Sequence, residues 1–83
     1  MYKVLLKVSA TKSLKALPKD AQKMMGRSLD ELAKLGIATR HVKKLKEPMG
    51  GFRKRVGKYR ILFDCSDDII LVHRISKRAD AYR

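Results

Sequence analysis

An alternating pattern of apolar and polar positions opens the chain. Val4, Leu6 and Val8 fall on one side of an extended backbone, and the residues between them, which include lysine, fall on the other. This period of two predicts a half-buried strand over residues 2–8, because successive side chains of a strand point to opposite faces.

The spacing then becomes helical. The hydroxyl residues at positions 9–11 offer N-caps for a first short helix that carries Leu14 and Leu17, and Pro18 should end it because proline lacks an amide hydrogen. Pro18 also suits the first turn of a second helix, and Gly36 suits its C-terminal stop. The apolar stripe of this second helix recurs at spacings of four and three: Ala21, Met25, Leu29, Leu32 and Leu35.

Residues 37–51 predict a basic loop, with Leu45 as its anchor to the core. After this loop the pattern returns to a period of two, with turn residues at regular intervals. The predicted elements are a strand over Phe52–Val56, a turn at Gly57-Lys58, a strand over Tyr59–Asp64, a turn at residues 66–68, a strand over Ile69–Ile75 and a basic tail over residues 76–83.

These elements predict one α+β domain over residues 1–83. It comprises an N-terminal strand, a helical hairpin and a three-stranded antiparallel meander that packs its inner face on the helices. The pattern leaves open where the first strand joins the sheet.

The charge of the chain narrows the classes of partner. Its 83 residues include 21 Lys and Arg against 8 Asp and Glu, a net charge of +13, which attracts RNA, DNA, an acidic protein or an anionic membrane. No apolar run reaches the roughly 18 residues that span a bilayer, and the first residues do not resemble a signal peptide. We therefore expect a cytoplasmic protein without a membrane partner, in which Cys65 is a small apolar residue on a strand rather than a reactive thiol.

The arginines of the predicted hairpin carry the candidate chemistry. Because strand side chains alternate, Arg53, Arg55 and Arg60 should share the sheet face opposite Phe52 and Val56. Guanidinium groups bind phosphates in a bidentate manner, so this face is a candidate phosphate site. The alternative is a solvated edge face, where basic residues discourage aggregation.

Further candidates follow in the tail. Tyr82 lies among polar residues, where it can stack on a base or offer its phenol, unless it folds back as a packing lid. The remaining basic candidates for RNA contact are Lys54, Lys58, Arg74, Lys77 and Arg78. His73 shares the alternation of Ile69, Leu71 and Ile75 on the last predicted strand, so it is expected to be a semi-buried structural residue, and His41 is expected to be a loop residue. The His, Cys and Asp residues form no metal-ligand spacing, so no metal or other cofactor is expected.

Four segments together resemble the RelE/ParE superfamily of type II toxins. They are Leu17-Pro18-Lys19, Leu45, residues 52–63 (FRKRVGKYRILF) and residues 77–83 (KRADAYR). The resemblance covers nearly the whole chain in order and spacing. It implies a fold like a reduced microbial RNase and, in the RelE branch, a metal-independent endoribonuclease that enters the ribosomal A site and cuts the mRNA there.

The resemblance also implies residue roles. Arg53 and Arg55 match the basic pair of the first hairpin strand, Arg60 the arginine of the second, and Arg78 and Tyr82 the terminal segment. Arg60 and Arg78 would stabilise the charge that develops on phosphorus, and Tyr82 would orient or deprotonate the 2′-hydroxyl. The family often has lysines in the basic pair and an apolar residue at the position of Lys54, which leaves the acid and base unassigned.

Two other functions stay open, and a protein partner is implied. The ParE branch of the superfamily poisons DNA gyrase without catalysis, and a third possibility is an inactive nucleic-acid-binding remnant of a toxin. Members of the superfamily pair with a cognate antitoxin. A groove around Met24, Met25 and Leu29 is a candidate docking surface for it, although core packing is the favoured interpretation for Met25 and Leu29.

Overall fold

The computed structural model describes residues 1–45 and 50–77, which form a five-stranded sheet with two helices on one face. This confirms the α+β class. The elements are β1 (Lys3–Leu6), α1 (Val8–Lys15), α2 (Lys19–Leu35), a 3-10 turn (Gly36–Ala38), β2 (Val42–Lys44), β3 (Phe52–Val56), β4 (Tyr59–Ser66) and β5 (Ile69–Lys77).

The sheet has the strand order β1-β5-β4-β3-β2. The last three strands form the predicted antiparallel meander, and β1 joins it as a parallel neighbour of β5. The parallel pairing requires a long crossover, which α1 and α2 begin. The strands β1 and β2 therefore form opposite edges of the sheet, and the chain between them passes from one edge to the other.

The strand β2 corrects the prediction of a loop over residues 37–51. It pairs antiparallel with β3, with Val42 beside Lys54 and Lys44 beside Phe52. A strand of three residues with one apolar side chain carries no detectable alternation, so only its pairing with β3 reveals it.

The start of α1 was also predicted wrongly. The N-cap is Lys7, without a side-chain hydrogen bond, and Ser9 and Thr11 lie inside the helix. The strand β1 ends at Leu6, so Val8 belongs to α1 and is 72% exposed. Ser9 instead donates its hydroxyl to the carbonyl of His73 on β5, at 2.7 Å, and ties α1 to the sheet.

The helix α2 follows its predicted stripe except at the last position. Ala21, Met25 and Leu32 are buried, whereas Leu35 is 56% exposed. Gly36 ends the helix as predicted, with φ +59°. A Cβ at this glycine would lie 2.5 Å from the ring of Tyr2, so both the backbone and the packing exclude larger residues.

The core lies between the helices and one face of the sheet, which we call the inner face. Its largest fully buried side chains are Phe63, Met25, Leu32, Ile61, Ile70 and Val72. Phe52 stacks on Phe63, with 5.7 Å between ring centroids. Cys65 is half-buried against this core and is a free thiol, as expected for a small apolar strand residue.

A β-bulge interrupts the pairing of β4 with β5. Leu62 pairs with Arg74, but the next residue, Phe63, pairs with Val72, so His73 has no residue opposite it. The bulge inverts the alternation that placed Ile69, Leu71, His73 and Ile75 on one face. Ile70, Val72 and Ile75 are the buried apolar positions of β5, and Ile69 is exposed.

Within residues 1–45 and 50–77, no helix has the length and apolar character needed to cross a membrane.

Candidate nucleic-acid interface

The sheet face opposite the helices, which we call the outer face, carries the hairpin arginines. Arg55 on β3 pairs directly with Arg60 on β4, and Arg53 pairs with Leu62. The residues between them on β3 belong to the inner face, so the structure confirms that Arg53, Arg55 and Arg60 share one face. Guanidinium groups directly opposite each other repel, so an anion bound between them would be stabilised.

Two cross-strand rows organise this positive surface. One runs from Lys43 through Arg53 and Leu62 to Arg74, and the other joins Arg55, Arg60 and Ser76. Neighbouring rows on one face are separated by two residues, or about 7 Å along the strands. Arg53, Arg55, Lys43 and His41 also line a cleft of about 280 Å³, which we call the arginine cleft.

The guanidinium groups of the two rows differ in their exposure. Arg55 and Arg74 are exposed and Arg53 is half-buried, whereas Arg60 is only 8% exposed. Arg60 already interacts with another group of the protein. The cations accessible to a polyanion are therefore Lys43, Arg53, Arg55 and Arg74, whereas Arg60, directly opposite Arg55, is buried.

Lys54 lies on the inner face and is only 2% exposed, which contradicts the expectation that it contacts RNA. Its ammonium group lies 3.1 Å from Oε1 of Glu31 on α2 and donates a 2.9 Å hydrogen bond to the carbonyl of Arg40. Lys54 therefore neutralises its charge within the protein and attaches α2 to the middle of β3. The chain sequence carries no local signal of this partner, because Glu31 belongs to a distant helix.

The same contact lowers the pKa of Glu31 from its usual value of 4.5, first through the hydrogen bond from Lys54 and then through its charge. Because the pKa of Glu31 is lower in the folded state than in the unfolded state, its carboxylate stabilises the fold at pH values above the unfolded pKa. This contribution disappears as the pH falls through the lowered pKa. We expect Glu31→Gln to melt at a lower temperature than wild type at pH 7. The difference should shrink below pH 4.5 in thermal unfolding followed by circular dichroism. A difference that stays constant down to the acid limit would contradict the role of this pair.

The other predicted RNA contacts are only partly on the outer face. Arg74 lies there, in the row with Arg53. Lys58 lies in the turn after β3, with its ammonium 5.9 Å from the ring centroid of Tyr59, and the exposed Lys77 ends β5 beside Tyr59. Arg78 and Tyr82 lie outside the described residues, so their predicted roles stay predictions.

A histidine and a carboxylate lie beside the arginine rows. His73 Nε2 donates a hydrogen bond to Oδ2 of Asp64 on the outer face. Both line a second cleft of about 330 Å³, which we call the histidine cleft, together with Leu62, Leu45 and Gly51. Leu45 thus lies at this cleft rather than in the core cluster. The sequence indicated a semi-buried His73 but not this contact, because the bulge that turns it outward has no sequence signal.

Comparison with known proteins assigns the family. The family model described as the ParE toxin of the type II toxin–antitoxin system parDE matches residues 4–82. The chain belongs to this toxin family. No protein among the curated sequences matches the chain.

Solved structures with this toxin's fold include both RelE and YoeB proteins. The RelBE2 toxin–antitoxin complex from Mycobacterium tuberculosis is 25% identical over 93% of this chain and 98% of that one, with a TM-score of 0.82. The RelB–RelE complex from Methanococcus jannaschii is 26% identical over 94% of each chain, with a TM-score of 0.77. The RelE–RelB complex from Pyrococcus horikoshii is 24% identical over 96% and 98%, with a TM-score of 0.82.

The helical side of the toxin carries a more apolar cleft. Met25 is fully buried and Leu29 packs against the core, as favoured above, whereas the half-buried Met24 lines a cleft of about 330 Å³ with Pro18, Lys58 and Tyr59. Of the three residues of the predicted groove, only Met24 therefore lines this open cleft.

Proposed function

We propose that this toxin is a ribosome-dependent mRNA endonuclease that inhibits translation. The observation that carries the proposal is the grouping of Arg53, Arg55 and Arg74 in two adjacent rows on the outer face of the sheet. Three accessible guanidinium groups at this spacing match a phosphodiester backbone better than they match an isolated anion.

The proposed reaction is attack of a ribose 2′-oxygen on the adjacent phosphorus. The new bond joins O2′ to phosphorus, the bond from phosphorus to O5′ breaks, and the products are a 2′,3′-cyclic phosphate and a 5′-hydroxyl. Negative charge increases on the non-bridging oxygens in the transition state, so preorganised arginines lower the barrier. In this proposal Arg53 and Arg55 contact the scissile phosphate, Arg60 opposite Arg55 adds to the positive field, and Arg78 and Tyr82 complete the site.

The ribosome would supply what the isolated surface lacks. Electrostatic contacts to phosphates position a strand without fixing the 2′-oxygen in line with the leaving oxygen. Positioning of the codon in the A site would provide this orientation, which contributes several orders of magnitude to a rate.

An antitoxin is the proposed protein partner. The solved RelB–RelE and RelBE2 structures are complexes with antitoxins. A net charge of +13 makes an acidic segment a favourable ligand for this toxin, because it relieves the repulsion among the outer-face cations.

A second candidate is a gyrase poison, and the ParE description of the matching family favours it. In that case the outer face would bind the gyrase–DNA complex without chemistry, and its arginines would act as binding residues only.

A reconstituted translation system separates the two functions. We expect the purified toxin to cut mRNA within A-site codons, detected by primer extension, and to leave the same mRNA intact without ribosomes. The matched assay measures DNA supercoiling by gyrase at the same toxin concentrations. Inhibited supercoiling with uncut mRNA would support the gyrase function and reject the nuclease.

A further inference from the structure

We propose that His73 is the general base of the cleavage and that Asp64 positions it. The inference rests on the proposed nuclease function. It supplies a proton acceptor on the described outer face, where arginine is a poor one because its guanidinium stays protonated at any physiological pH.

The bulge places the imidazole. Because His73 has no residue opposite it on β4, its side chain is free of the regular alternation and reaches Asp64 on the outer face. The backbone at this point is fixed from two sides. Ser9 of α1 donates to the carbonyl of His73 at 2.7 Å, and the amide of Lys7 donates to the carbonyl of Val72 at 2.9 Å. The bulge is therefore a held conformation rather than a loose segment.

The carboxylate sets the tautomer. An ionised carboxylate only accepts hydrogen bonds, so the proton of neutral His73 lies on Nε2, toward Asp64, and the lone pair lies on Nδ1. When Nδ1 accepts a proton, Asp64 stabilises the resulting imidazolium. This is the arrangement in which a carboxylate orients a catalytic histidine.

The cleft provides room for a ribose. Gly51 immediately precedes β3, and a Cβ there would lie 2.7 Å from Oδ1 of Asp64. The carboxylate therefore packs directly against Gly51, and Leu62, Asp64 and His73 line the histidine cleft of about 330 Å³ beside it. The charged groups around His73 are Asp64 on β4, Arg74 next to it on β5 and Lys7 after β1, while α1 contributes the neutral Ser9.

The distance to the phosphate site fits the reaction. The row of Asp64 is the next one after the row of Arg53, Leu62 and Arg74, about 7 Å along the strands. A 2′-oxygen is one short covalent link from the phosphate that it attacks, so its base must lie beside the phosphate-binding cations. In the proposed step Nδ1 takes the proton of O2′–H as O2′ bonds to phosphorus. O5′ leaves and takes a proton from water, and His73 returns its proton to solvent.

The test is the pH dependence of single-turnover cleavage on programmed ribosomes. For the wild type we expect a rate with a limb that falls toward low pH, because a protonated imidazole cannot accept the proton of O2′–H. His73→Gln should lose this limb and reduce the rate about 10²-fold or more at pH 7.5, while half-saturation by ribosomes changes less than threefold. Asp64→Asn should reduce the maximal rate, and Asp64→Glu should restore most of it.

The comparison arm is the other histidine. His41 has φ +64°, a conformation that asparagine tolerates, so His41→Asn preserves the backbone. Because His41 lines the arginine cleft, this variant is compared with the wild type only by the presence of the pH limb and not by its rate. Loss of the limb in His41→Asn, or an unchanged rate and profile in a folded His73→Gln, would overturn the inference and leave the nuclease function standing. Wild-type toxin that cuts no mRNA at any pH would overturn both. Circular dichroism of each variant verifies the fold.

Discussion

The double variant Arg53→Ala/Arg55→Ala is expected to cleave A-site mRNA about 10³-fold more slowly than the wild type at saturating ribosomes. Removing a single preorganised donor from a developing oxyanion typically costs about 10²- to 10³-fold in rate, and here two adjacent donors are lost. Arg55 is exposed and Arg53 half-buried, so neither substitution opens a cavity in the core. The measurement is the single-turnover rate from quenched time points resolved by primer extension.

A control variant must distinguish the effect of losing two positive charges anywhere on the protein from the effect of losing the two arginines of the phosphate site. The double variant Lys23→Ala/Arg27→Ala removes the same two charges from exposed positions of α2, in the helical layer behind the sheet. We expect this control to cleave within threefold of the wild type. Equal losses in both double variants would show that only the overall positive field matters, and would reject the assignment of the outer-face arginines to the scissile phosphate.

Glu31→Ala is expected to destabilise the toxin by about 1–2 kcal/mol, because it leaves the buried ammonium of Lys54 with only the carbonyl of Arg40. Breaking a fully buried ion pair costs more, but solvent reaches Glu31, whose side chain is 48% exposed, and screens the interaction. For a domain of this size each kcal/mol corresponds to about 4–8 °C in Tm. Urea unfolding and thermal melts measure the change.

The reciprocal substitution should behave differently. Lys54→Met removes the buried charge and keeps the volume, so its free energy of unfolding is expected to stay within about 1 kcal/mol of the wild type or to rise. Glu31→Ala made in the Lys54→Met background should then cost little, as should Asp30→Ala at the exposed neighbouring position. If Glu31→Ala proved as mild as Asp30→Ala in the wild type, Lys54 would not depend on this carboxylate.

Local pattern was sufficient for the hairpin of the site. The Gly57-Lys58 turn and the alternation on either side of it predict which residues of β3 and β4 share a face, because both signals span only a few residues. Both signals are confirmed by the register of Arg53 with Leu62 and of Arg55 with Arg60. The helix α2 was predictable for the same reason, since its stripe repeats every three or four residues.

Local pattern was insufficient wherever the partner of a residue lies far along the chain. The strand β2 exists because β3 offers an edge to pair with, and the parallel place of β1 depends on a crossover through both helices. His73 was predicted on the wrong face of the sheet. One unpaired residue in β5 shifts the register, so that every earlier residue of the strand points to the face opposite to the one predicted from Ile75.

The sequence by itself therefore determined the strong positive charge of this toxin, its α+β class and the common face of Arg53, Arg55 and Arg60. Periods of two and 3.6 residues, turn chemistry and charge are properties of neighbouring residues. Only the tertiary structure decided that Lys54 is neutralised by Glu31 while the arginines beside it stay on the outer face, and that His73 meets Asp64. Such contacts depend on which distant element packs against a strand and on where its register slips, and the free energy of that packing belongs to the assembled core rather than to any segment.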